Sequence, residues 1–303
     1  MGSRTFQHIM QTHGIQIASS VPYLMHTILA FSAAHLSHES PQDPKWRFAS
    51  IAHYDHALSL WQLRLARLPS PEEHDLDARL AAIFLHAMLA ILHSSAELKK
   101  GLKLEKWKPG WTWIPSVLGI QGLLHGPGVH LDELDQEVWA TLLEQYLPGR
   151  PRQLCSGHDG SDIMAFSRER TVLADLERAC MSEHTAPSVA LVYRKALDLW
   201  HGLLASRPSQ DDDSETIDVF LSAASHLTFE FADLLKSKDP RAVLLVGFWL
   251  VMFGKKCRGW WIAGSVTTKC IHASEFLRAQ REYKVDENFA GVVEWMQEWI
   301  RSG

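Results

Sequence analysis

The sequence predicts an all-α fold, a single bundle of about twelve helices around one buried apolar helix, and three observations lead there. Apolar residues recur at three- and four-residue spacing between Pro, Asp, Ser and Gly punctuation along most of the 303 residues. No stretch alternates apolar and polar residues over a strand length between turn signals, so nothing reads as a sheet. Two segments, 80–92 and 242–253, are apolar almost without interruption.

The second of these segments organises the rest. Asp239 is placed to cap a helix and Pro240 to occupy its first turn. From Ala242 to Phe253 no polar face remains, and a helix apolar on every side must be covered on every side. Its twelve residues rise only about 18 Å, short of the ~20 residues a bilayer crossing takes, so it reads as the central helix of a soluble bundle. Gly254 is expected to end it, Lys255, Lys256 and Arg258 suit its negative end, and Trp260 and Trp261 open the next helix.

The other elements follow in order. Residues 5–19 suggest one or two helical turns. Tyr23 to His38 carries Leu24, Met25, Ile28, Leu29, Ala33 and Leu36 at helical spacing after Pro22. Asp43 caps a helix that runs from Trp46 to Leu68, with Phe48, Ile51, Ala52, Leu58, Trp61, Leu65 and Leu68 as the inward stripe and Arg47, Arg64 and Arg67 outward. Acids from Glu72 to Asp77 favour the start of the apolar helix that holds Phe84 and Met88. Helices are predicted over 115–124 and 132–146. The Gly/Pro/Ser-rich stretch 147–162 is the longest loop, dividing the chain into halves within one domain spanning 1–303. Helices over 163–181, 188–206, 216–236, 260–283 and 289–300 complete the chain.

Composition narrows the function classes. A net charge of −5 and a pI near 6.4 show no basic bias, so these residues contain no evident nucleic-acid-binding stretch. Cys155, Cys180, Cys257 and Cys270 are far apart with no CxxC pair, which excludes a zinc module and a secreted disulfide framework and suits a reducing compartment. No signal peptide opens the chain and no apolar run of about 18 residues is evident, so no membrane span is expected.

Motifs for chemistry are few. GxGxxG after a strand, GxxxxGK[ST], HExxH and GxSxG are all missing. His35 with His38, and His53 with His56, lie three apart on predicted helices, a spacing that presents two imidazoles together. Neither pair has a carboxylate or third histidine at a fitting local spacing, so no metal, no cofactor and no catalytic residue is assigned. The remaining signal is apolar: the two greasy helices and the Leu-, Ile- and Met-rich opening helix offer more apolar surface than one close-packed layer needs. Met25, Ile28, Leu29, Phe84 and Met88 are the candidate lining from the earlier helices. Gly247, Gly254, Gly259 and Gly264 beside Trp and Phe leave either a close helix contact or room for a ligand.

Three segments carry a resemblance. YLMHTILAFSAAHLSH at 23–38 resembles the opening signature of the fungal-specific transcription factor regulatory domain, YDHALSLWQLRL at 54–65 is similar to its second helix, and DPRAVLLVGFWLVMFGKKCRGWWIAG at 239–264 resembles its late buried helix. Within that family the chain resembles the sterol uptake control type. The resemblance implies a homodimeric, ligand-responsive helical domain in which a sterol-like molecule occupies a deep apolar pocket, moving between cytoplasm and nucleus and controlling transcription. By motif, Phe248, Trp249, Met252, Phe253, Trp260 and Trp261 would line or support that pocket. The family's six-cysteine zinc cluster is missing from these 303 residues, so DNA contact would come only through a domain outside them. Two other readings stand beside this one: an enzyme of secondary metabolism that acts on an apolar terpenoid or polyketide in the same cavity, and a structural dimerisation domain with a filled core.

Overall fold

The computed structural model describes residues 8–66, 75–98, 114, 118, 167–183, 185–205, 213–257 and 259–302. They form a five-residue π turn, Met10–Gly14, and twelve α-helices, with no strand among the described residues. The helices are α1 (Ile15–Ala18), α2 (Pro22–Glu39), α3 (Pro44–Leu65), α4 (Asp75–Leu98), α5 (Ser167–Cys180) and α6 (Pro187–Ala205). They continue as α7 (Asp213–Ser225), α8 (Phe229–Lys236), α9 (Pro240–Lys256), α10 (Trp260–Arg278), α11 (Glu282–Val285) and α12 (Glu287–Ser302). The helices expected over 115–124 and 132–146, and the loop at 147–162, lie outside the described residues. Ile114 and Leu118, the two described positions there, are buried.

The all-α expectation holds, and so does the central place of α9. All twelve residues from Ala242 to Phe253 are buried, and α9 packs against α5, α6, α7, α8, α10 and α12. Asp239 caps it as the sequence suggests: its Oδ1 accepts from the Ala242 amide at 2.8 Å and from the Tyr193 hydroxyl at 2.6 Å. The turn entering the cap holds Lys238 at φ 60°, a left-handed conformation that a side chain adopts at some cost.

Several boundaries differ from expectation for physical reasons. Gly254 does not end α9, which runs on to Lys256 with Cys257 as its C-cap. A Cβ at Gly254 would sit 2.5 Å from the Trp299 ring and one at Gly247 would sit 2.5 Å from Met296 Cε. Both glycines therefore serve close approach of α12 to α9, the first of the two uses expected of them. The predicted helix over 216–236 is two helices: the first ends at Ser225, and Thr228 caps the second by accepting from the Phe231 amide. Similarly, 260–283 breaks after Arg278, leaving α11 as a single turn.

The α3 expectation needs a larger correction. Phe48 is 69% exposed and Ile51 and Ala52 are exposed, whereas the buried residues of this helix are Ser50 and Ala57. The docking face is the one carrying Ser50, His53, Tyr54, Ala57 and Trp61, a mostly polar and aromatic face of which apolar spacing picks out Trp61 alone.

Two groups of helices result. The pair α2–α3 packs on α4, while α5 to α9 and α12 enclose the other side, and α10 joins them by packing on both α4 and α9. One helical stretch, Leu76–His93, is long and apolar enough to cross a membrane, with a mean hydropathy of 1.5 that reading for an unbroken apolar run did not register. Protein covers 78% of it, the burial of a core helix. Cys180, Cys257 and Cys270 are buried in the interior, outside any disulfide.

Candidate functional site

The periodicity of α9 sends neighbouring aromatics to different partners. Phe248 stacks on Trp295 of α12 with centroids 5.4 Å apart. Trp249 and Phe253, one turn apart, stack at 4.9 Å, and both meet Phe220 of α7. Trp249 also lies 6.3 Å from Trp200 of α6 and donates its Nε1–H to the Phe220 carbonyl at 3.3 Å. Phe253 meets Trp261 of α10 edge-on at 6.2 Å. Offset and edge-on pairs of this kind add roughly 0.5–1.5 kcal/mol each beyond area burial. Met252 is buried beside them.

Of the eleven residues singled out by sequence, the structure therefore brings Phe248, Trp249, Met252, Phe253 and Trp261 onto α9 and its border with α10. Trp260 points the other way, packing on Phe31, His35 and His38 of α2 at 5.7, 5.0 and 5.3 Å. Phe84 and Met88 are buried within α4. On α2, Met25 and Ile28 are half-buried against the core, and Leu29 is 39% exposed. The eleven fall into two groups linked by α10.

Between those groups lie polar side chains that the sequence reading missed. Lys269 of α10 is buried and its ammonium nitrogen contacts the Ile91 carbonyl of α4, where desolvation lowers its pKa to about 7. The available signal was positional: Lys269 falls on the same helical stripe as Trp261, Ile262, Ser265, Val266 and Ala273, all buried. His86 of α4 is buried, and desolvation takes its pKa down to about 4. Its Nε2 is 3.4 Å from Thr27 Oγ1, whose own hydrogen goes to the Tyr23 carbonyl at 2.7 Å. The imidazole must then be neutral with its hydrogen on Nε2, which leaves Nδ1 as a buried acceptor without a partner.

Histidines recur along the α3 face. His93 of α4 bonds Ser50 Oγ at 3.1 Å and stacks on Tyr54 at 5.2 Å, and burial brings its pKa down to about 4. His26 of α2 meets His53 through their Nδ1 atoms at 2.9 Å and meets the His56 ring at 4.4 Å. Burial first, then the His56 and His53 charges, lower the pKa of His26. The i,i+3 pair His53–His56 thus does gain a third histidine, from another helix. Among the described residues, however, no group of three or more His, Cys, Asp or Glu side chains has metal-holding geometry.

Comparison with known proteins bears on the first third of the chain. Residues 5–103 match the family described as fungal specific transcription factor domain. That span covers α1 to α4, supports the resemblance carried by 23–38 and 54–65, and ends well before α9. No curated protein and no solved structure matches the chain.

Proposed function

We infer that this chain is a regulatory helical domain of the fungal transcription factor type, and that it responds to an apolar, sterol-like small molecule. The carrying observation is the family match over 5–103, which coincides with the α2–α3 pair whose signature segments the sequence displays. Support for the ligand class comes from the chemistry of α9 and its surroundings, where the buried Phe248, Trp249, Met252, Phe253 and Trp261 are aromatic and thioether side chains of the kind an apolar ligand would pack on. Met25, Ile28, Leu29, Phe84, Met88 and Trp260 extend the candidate lining from the α2–α4 side.

The energetics permit such a response. Burying about 400 Å² of apolar ligand at ~25 cal/mol/Å² supplies roughly 10 kcal/mol gross, enough to offset association costs and still bias a helix arrangement. Since rings of α9 are stacked with those of α6, α7 and α12, a ligand entering there would have to part these helices. Binding would thereby couple to their arrangement, and a homodimer or a DNA-binding module elsewhere could read that change.

Titration of the purified chain with a fluorescent sterol tests the ligand class. Saturable uptake that Trp249→Phe weakens supports it, and absence of saturable uptake removes the sterol. Fusion of the chain to a heterologous DNA-binding domain tests regulation separately: reporter output should change on sterol depletion, and an indifferent reporter refutes a regulatory role.

A further inference from the structure

Among the described residues, α3 is attached largely through polar and aromatic side chains. Its two buried side chains among the described residues, Ser50 and Ala57, are small. What holds it is a seam of rings: His53 on His26, Tyr54 on His86 and His93, Trp61 on Tyr23 and His86, and Ser50 on His93. Releasing α3 would bring water to His86 and His93 along with the Leu60 and Trp61 side chains packed beside them.

Two features of the seam favour neutral imidazole: the His26–His53 contact, and the burial that disfavours the charged form of His86 and His93. Two Nδ1 atoms 2.9 Å apart hold one hydrogen between them, so His26 and His53 cannot both become imidazolium and keep the contact. The His56 ring lies edge-on against His26. A proton added to His86 would land on Nδ1, where the protein provides no acceptor. The charged groups around the seam do not reverse this. From α3, Asp55 favours a cation at His93 and Arg47 opposes it, and burial outweighs both. Tyr54 is pushed up to about 12 and stays neutral. From α10, Lys269 reaches α4 at Ile91, bringing a cation rather than an anion to the neighbouring turn.

We propose that α3 is an acid-released helix: protonation of His26, His86 and His93, which α2 and α4 present to it, detaches it from those helices while the helices around α9 remain folded. The device is local because the aromatic cluster around α9 contains no histidine partner. It also lies within the segment that matches the transcription-factor domain, so acidification would act on that segment first. The proposal does not depend on sterol binding.

Amide hydrogen exchange of the full chain, compared at about pH 7 and about pH 5 after correction for intrinsic rates, tests it. Protection over 44–65 should fall at least about tenfold at the lower pH, one decade for each unit of pKa difference, while 240–256 keeps its protection. A double variant, His86→Gln with His93→Gln, should lose most of that pH response. Unchanged protection of 44–65, or a parallel and equal loss over 240–256, overturns the proposal. Should the double variant not fold, the His93 ring proton followed by NMR in the parent chain decides: its titration must share a midpoint with the opening of 44–65, and separate midpoints refute the linkage.

Discussion

Around α9 the inward side chains are Trp200, Phe220, Trp249, Phe253, Trp261 and Trp295, while between α3 and its neighbours they are Ser50, His53, Tyr54, Trp61, His86 and His93. Both surfaces are ring-rich and both join three or more helices. The rings of the first carry no titratable group and gain from dehydration and ring stacking, whereas the second buries imidazoles whose charged form burial disfavours. The comparison teaches that burial by itself does not say how a helix is held. The chemistry of the buried atoms determines which conditions let it go.

Truncating the dry side should have the largest effect. Trp249→Ala removes a buried indole and its stacks, and a loss of about 3–5 kcal/mol in urea-unfolding free energy is expected, independent of pH between 5 and 8. A loss below about 1 kcal/mol would mean the cluster is not closely packed.

Acid should weaken the other side next. The folded pKa of His86 and of His93 is about 4, below the unfolded value near 6.5, so the neutral form is the one folding favours. Stability is then full above pH 6.5 and falls as pH drops from there toward 4, by on the order of 3 kcal/mol per ring at the limit. Unfolding midpoints measured across that window in the parent and in His93→Gln give the contribution of one ring by difference, since background carboxylates are common to both. A parent curve that is flat from pH 7 to 4.5 would contradict the neutral seam.

Smaller effects sharpen the comparison at the edges of α9. Gly247→Ala forces a methyl against Met296 and should cost about 1–3 kcal/mol, with partial recovery when Met296→Ala is added, as read by thermal unfolding of the two variants. Asp239→Ala removes the cap of α9 and the acceptor of the Tyr193 hydroxyl, and should cost about 1–2 kcal/mol in the same measurement.

The dry side was largely legible in the sequence. Asp239, Pro240 and the unbroken run to Phe253 give the position and burial of α9 to within two residues at its end, because an apolar run between a cap and basic residues has few other solutions. Its partners were only partly legible: spacing identified Phe220 as core, but nothing local says that Trp200 and Trp295 meet the same helix. The polar seam was hidden for a different reason. Phe48 and Ile51 satisfied the expected inward stripe of α3 and are exposed, while His53 and Tyr54 face inward because partners on α2 and α4 accept their polar atoms and rings. Such complementarity is a property of two surfaces, and a hydropathy pattern reports one.

The three sealed thiols, Cys180, Cys257 and Cys270, give the molecule a built-in clock. Burial drives the Cys180 and Cys270 pKa far up, so neither offers thiolate to an oxidant or an alkylating reagent while its surroundings are intact. Cys180 ends α5 and Cys270 lies within α10, so the rate at which each peptide becomes labelled measures how often its own part of the bundle comes apart. Mass spectrometry of timed labelling would thus time the opening around α5 and around α10 separately, without any engineered probe.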